Sequence, residues 1–374
     1  MRTIITLFLT LFSLPAMAQY SVQHTGEVVR LIDSASRTSV SVVPSMGNRV
    51  TEMTVNGVNA LYFPYASIDE FKQKPVLCGI PLLAPWGNRL DELAFYANGK
   101  KYPFNMELGN VRSPAAIHGF LTNATAWRVI EAKADRRAAW ITSRLEVWRQ
   151  PSSMAQWPFA HDIEITYRLQ KGELEVRTRI ENLSAEPMPV AIGYHPYFQL
   201  TDTPRDEWTI SIGARTEWVL SSARMPTGET QPIEKSFANP QSIPLKELAL
   251  DNVYGDLVRD SAGRAVMSVK GKNQKVDVIM GPNYRAAIVF APRRGAGSQR
   301  PGGERGAGGP PAGGERGGAP GGPAMPGQSY VCFEPMAGIT DALNLAHKGL
   351  YKELQSIPAG GIWQESFWVR PSGF

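Results

Sequence analysis

Apolar and polar residues alternate with a period of two along most of this chain. Across 162–169, Ile163, Ile165 and Tyr167 point one way and Asp162, Glu164 and Thr166 the other, as in a strand with one wet face. After the turn residues Lys171 and Gly172 the alternation resumes over 173–180. Further strand-like runs occupy 28–31, 39–43, 49–55, 208–212, 265–269, 276–280 and 286–290, separated by Gly, Asn, Asp and Ser. Helical periodicity is scarce, and 68–74 is its best short example. Many short strands with turn signals between them predict an all-β sandwich or barrel. No linker divides the pattern into two domains.

Two segments stand outside this pattern. Met1-Arg2-Thr3 is a short basic start, residues 4–14 are apolar, and Pro15-Ala16-Met17-Ala18 supplies small residues for cleavage before Gln19. This reads as a signal peptide over 1–18, followed by a domain over 19–374 in a periplasmic or secreted protein. Residues 293–328 are almost all Gly, Pro, Ala, Arg and Glu, with Gly302-Gly303-Glu304-Arg305-Gly306 echoed by Gly313-Gly314-Glu315-Arg316-Gly317. With no apolar side chains to offset ordering entropy, they are expected to form a disordered insertion. The flanking runs 286–290 and 330–333 read as neighbouring strands, which puts the insertion at a hairpin tip, where extra length costs little closure entropy.

Charge and cysteine content narrow the class further. The formal charge is +5, but 293–328 contributes +3 and Arg2 another +1, leaving +1 for everything else. That balance is no footprint for nucleic acid, and no later apolar run is long enough to cross a membrane. The two cysteines, Cys78 and Cys332, lie in apolar stretches without metal-ligand spacing, and either a bridge or two buried thiols is compatible with export. No metal or cofactor is expected.

The candidate chemistry lies in two histidine segments, Ala116-Ile117-His118-Gly119-Phe120 and Ile192-Gly193-Tyr194-His195-Pro196-Tyr197-Phe198. Each His ends an apolar run and precedes a strand-breaking residue, leaving an imidazole at a loop mouth where it can exchange a proton near neutral pH. His161, at the entry to the 162–169 strand, reads instead as a structural strand-end histidine.

Four more segments accompany them: Gly79-Ile80-Pro81-Leu82-Leu83-Ala84-Pro85-Trp86-Gly87-Asn88-Arg89-Leu90, Leu250-Asp251-Asn252-Val253-Tyr254, Phe333-Glu334-Pro335 with Thr340-Asp341-Ala342-Leu343-Asn344, and Pro358-Ala359-Gly360-Gly361-Ile362-Trp363-Gln364-Glu365. In this order they resemble the aldose 1-epimerase (galactose mutarotase) family, from about Val28 to Val369. The resemblance implies a large antiparallel β-sandwich of the supersandwich type, a monosaccharide substrate, and interconversion of α and β anomers by acid/base ring opening. It implies His195 as general acid, and Arg89, Asn88, His118 and Asp251 as sugar ligands. Trp86 or Trp363 would offer an apolar face to the pyranose.

The resemblance departs from the family pattern at the base. Where the family carries Glu after the C-terminal Pro-Gly, this chain has Gly361, and the nearest carboxylate, Glu365, is displaced by about 13 Å along a regular strand. A bulge at Gly360-Gly361 would bring it closer, and Glu365 is expected to face His195 across the sugar. Glu334 and Asp341 are the other candidates, with a structural acceptor role for Glu334 equally open. Without a base, the chain would be a sugar-binding protein. A hexose phosphate or an oligosaccharide end is a third substrate class.

Overall fold

A computed structural model describes residues 18–292 and 329–374. The expected signal segment and the expected insertion therefore lie outside the described residues, Ala18 excepted. The alternation read from the sequence becomes burial in the structure. Strand His161–Gln170 buries every second residue, including Ile163, Ile165, Tyr167 and Leu169, and Glu173–Asn182 beside it does the same from Leu174 to Asn182. One face packs while the other meets water, as a half-buried antiparallel sheet requires.

These two strands belong to a nine-stranded sheet. In it, the C-terminal strand Ile362–Ser372 pairs antiparallel with both Glu173–Asn182 and Lys275–Met280. A second, eight-stranded sheet contains Ala214–Leu220, Leu250–Leu257, Ala286–Ala291, Val331–Met336 and Gly193–Tyr194. The two sheets share one apolar core: Ile165, Val176 and Phe367 of the first meet Val289, Phe333 and Tyr194 of the second. Tyr194 packs tilted against Phe367 with ring centroids 4.9 Å apart and its hydroxyl lies 2.6 Å from the Thr178 hydroxyl, so one side chain fastens the sheets by packing and by a hydrogen bond. A five-stranded N-terminal meander, Tyr20–Thr25 to Val58–Asn59, extends this core through Leu31, Val40 and Val42. The short helix Ile68–Gln73 starts at Ser67, whose hydroxyl accepts from the Glu70 amide.

Ala286–Ala291 and Val331–Met336 are adjacent antiparallel partners, as the flanks of the insertion suggested, with Phe290 opposite Cys332 and Ile288 opposite Glu334. Along these strands alternate residues leave the shared core. Val331 and Phe333 face it, whereas Cys332, Glu334 and Met336 face the opposite side of the sheet. That opposite face carries the site. Cys78 and Cys332 are both buried free thiols, so the bridge is not formed.

Candidate active site

Two loops and one sheet face build the site. In the first loop Asn88 adopts a left-handed backbone (φ 52°), and its side-chain oxygen accepts from the Arg89 amide at 2.8 Å and the Arg89 guanidinium at 3.0 Å. Asparagine tolerates this conformation better than most residues. Behind Arg89, the Asp341 amide donates to the Arg89 carbonyl at 2.9 Å, and Asp341 Oδ1 accepts from the Asp91 amide at 3.1 Å.

The second loop packs on the first. The His118 amide donates to the Asn88 carbonyl at 2.8 Å, and His118 and Gly119 are both left-handed, at φ 64° and 61°. A Cβ at Gly119 would sit 2.0 Å from the Ala84 carbonyl oxygen, so glycine follows His118 because the backbones touch. His195 is fixed from the strand side. Its amide donates to the Pro81 carbonyl at 3.1 Å, and its ring stacks on Tyr197 at 4.6 Å.

Together these elements line one cleft that contains Asn88, Arg89, His118, His195, Asp251 and Glu334. Arg89 Nη2 lies 3.4 Å from Asp251 Oδ2. His195 Nε2 lies 3.2 Å from Glu334 Oε1, with both side chains almost wholly buried. The His118 and His195 rings meet edge to face at 5.5 Å. Both Nδ1 atoms and Glu334 Oε2 are buried without a hydrogen-bond partner of good geometry in another described residue.

Burial controls the protonation of this group. It holds the Glu334 carboxyl well above the usual carboxylate range; Asp251 raises it further and Arg89 opposes. Burial pushes the His195 imidazole down to about 3, with Arg89 acting in the same direction. It also holds His118 well below its ordinary value, helped by His195, Arg112 and Arg89. Desolvation thus opposes a net charge on either member of the His195–Glu334 pair, and one proton shared between them is the favoured occupancy.

The expected position of Glu365 needs correction. Its Oε1 accepts from the Ser366 amide at 2.8 Å and its Oε2 from the Asn283 amide, and a Cβ on Gly281 would lie 2.1 Å from Oε1. Glu365 therefore caps the loop that follows Lys275–Met280 and does not line the cleft. No bulge brings it nearer, because Ile362–Ser372 keeps an unbroken register with Glu173–Asn182. Gly361 closes a turn, its amide donating to Pro358 O at 2.8 Å and its carbonyl accepting from Asn182 N at 3.0 Å, also away from the lining. Trp363 is likewise displaced: it is a core residue that donates to Gln355 Oε1 at 3.0 Å and packs against Tyr284. Trp86 is stacked on Phe104 in the same core. The aromatic lining comes instead from Tyr197, Phe290 and Tyr330. Tyr197 lies two residues after His195; Phe290 and Tyr330 gave no signal beyond membership of strand-like runs. His161 is structural, its Nδ1 2.7 Å from the Phe159 carbonyl.

A family model described as aldose 1-epimerase matches residues 29–367. The chain belongs to the aldose 1-epimerase family. Its fold is also that of solved structures with distant sequences. A galactose mutarotase-like protein from Clostridium acetobutylicum aligns with TM-score 0.74 at 19% identity, over 95% of this chain and 98% of that one. A galactose 1-epimerase from Lactobacillus acidophilus NCFM aligns with TM-score 0.67 at 11% identity, over 95% and 98%. An aldose epimerase homologue from C. elegans gives 0.65 at 17%, over 90% and 96%. Within this aldose 1-epimerase family chain, Glu334 is the cleft carboxylate in contact with His195.

Proposed function

We propose that this protein interconverts the anomers of a free aldose, with His195 as acid and Glu334 as base. The observation that carries the reading is the 3.2 Å contact between His195 Nε2 and Glu334 Oε1 inside a cleft also lined by Arg89, His118 and Asp251. Ring opening must address the C1 hydroxyl and the ring oxygen, which are bonded to the same carbon. An acid and a base that are neighbours can therefore serve both oxygens.

With the shared proton on His195, Glu334 is a carboxylate. It takes the C1 hydroxyl proton, the freed lone pair forms the C1 carbonyl, the bond from C1 to the ring oxygen breaks, and His195 protonates that oxygen. Rotation about C1–C2 and the reverse transfers close the other anomer and restore both groups. Arg89 and Asp251 supply a charged donor and acceptor for the sugar hydroxyls, and His118 supplies its unpartnered Nδ1. Arg89 is the one Lys or Arg among the described lining residues, and its pairing with Asp251 favours a neutral sugar over a hexose phosphate. The expected signal peptide is the basis for proposing a periplasmic or secreted setting.

Polarimetry on freshly dissolved α-glucose and α-galactose tests the reading. The expected result is a protein-dependent rate above buffer. Measurable sugar binding with no rate above buffer would leave a carbohydrate-binding protein of the same fold.

A further inference from the structure

The face of the eight-stranded sheet that carries the cleft continues beyond it. Asp251, at the cleft, shares its side of Leu250–Leu257 with Val253 and Gly255 by the period of two. Val253, Ile288 and Met336 form an apolar patch there, packed with Ile339, Leu345 and Tyr351. Past this patch lies a second cavity, of about 220 Å³, which shares no lining residue with the cleft.

Its wall is built around Trp218. The indole is half-buried and meets Tyr351 edge to face at 6.0 Å. A Cβ at Gly255 would stand 2.9 Å from the indole Nε1, so glycine on the neighbouring strand gives the ring its place. Tyr351 is 4% exposed, and its hydroxyl lies against the Ile339 backbone, so it serves the cavity as a wall beneath the indole. Arg285 and Glu353 line the same cavity and are exposed. Neither forms an ion pair with another described residue, whereas Asp256 beside them is neutralised by Arg215 at 3.1 Å.

We propose that this cavity is an accessory subsite for a neutral pyranose, such as one ring of a disaccharide. A pyranose offers an apolar C–H face and an equatorial belt of hydroxyls. The indole suits the first, and Arg285, Glu353 and Thr216 suit the second. Among the described residues the balance of one unpaired cation, Arg285, against one unpaired carboxylate, Glu353, selects an uncharged ligand. The proposal stands apart from catalysis in the cleft, since it concerns a separate set of residues.

Saturation-transfer NMR with lactose as probe tests it. In Asp251→Ala, whose cleft is disabled, lactose still receives saturation. Adding Trp218→Ala or Arg285→Ala weakens lactose binding at least fivefold. Arg285 is exposed, so its variant informs even where Trp218→Ala disturbs folding. Lactose binding that is absent from the unaltered protein, abolished by Asp251→Ala alone, or indifferent to Arg285→Ala overturns the proposal.

Discussion

His195 Nε2 and Glu334 Oε1 sit 3.2 Å apart in a site from which water is largely excluded, and Glu334 presents its second oxygen without a partner. If this pair moves the protons, Glu334→Gln keeps the shape and removes the base. The expected loss is about 10³-fold in kcat with KM changed little, the range for a general base acting in the transition state. Glu365→Gln should leave kcat within a few-fold and lower the melting temperature, because it weakens the cap on the Asn283 and Ser366 amides. A kcat collapse in Glu365→Gln with Glu334→Gln active would return the base to the C-terminal strand.

The shared proton also dictates the pH profile. Activity needs one proton on the pair, so it fails on the acid side when both groups are protonated and on the alkaline side when neither is. His195 is pushed down to about 3 and Glu334 is held above its usual range. The profile of kcat/KM, corrected for buffer catalysis, is therefore expected to be a broad bell, its acid limb well below 6.5. A single limb centred near 6.5 would indicate an uncoupled histidine and contradict the pair.

The strands and the two imidazoles were legible because each depends on a local pattern. Ile163, Ile165 and Tyr167 announce their inward face by alternation, and His118 and His195 by ending apolar runs. The proposed base was not legible by the same means. Glu334 lies in the fully buried strand Val331–Met336, where every residue is covered and no alternation separates a catalytic acid from a structural one. What distinguishes it is the register that places it opposite Ile288 and on the outer sheet face, beneath His195. Glu365 attracted attention through its neighbours in sequence, yet its strand runs through the other sheet. Trp363 failed as a sugar platform for the same reason, being an inward residue of that strand.

Asp341 is expected to act through Arg89. Its left-handed backbone (φ 61°) and its contacts to the Arg89 carbonyl and the Asp91 amide hold the loop that presents the guanidinium. Asp341→Ala removes the acceptor and disfavours the left-handed conformation, so KM for the sugar should rise about tenfold, roughly 1.4 kcal/mol, with a smaller change in kcat. Asp341→Asn keeps both properties and should restore KM. Equal damage in the two variants would mean that the charge, and not the clamp, matters.

The close approach at Gly119 gives a steric test of how His118 is held. With φ at 61° and an added methyl only 2.0 Å from the Ala84 carbonyl oxygen, Gly119→Ala has no rotamer with which to relieve the clash. A cost of about 3 kcal/mol in unfolding free energy is expected, with weakened sugar binding as His118 is displaced. Denaturant midpoints and sugar titration check this, and an unchanged midpoint would show that the two loops can part without cost.

His161 supplies the prediction for acid stability. It is buried with its Nδ1 against the Phe159 carbonyl, and burial lowers its imidazole to about 4 in the folded protein, against about 6.5 when unfolded. Below 6.5 the unfolded chain therefore binds a proton that the folded chain refuses. The resulting stability is complete above 6.5 and is lost as pH falls toward 4, by up to about 3 kcal/mol. Urea unfolding at pH 7 and pH 4.5 should show this loss in the unaltered protein. His161→Phe cannot take up the proton, so its stability, lower at pH 7 for want of the carbonyl hydrogen bond, should fall less between the two pH values. Parallel losses in the two proteins would assign acid sensitivity elsewhere, with buried His118 and His195 the next groups to substitute, since both are also held below their ordinary range.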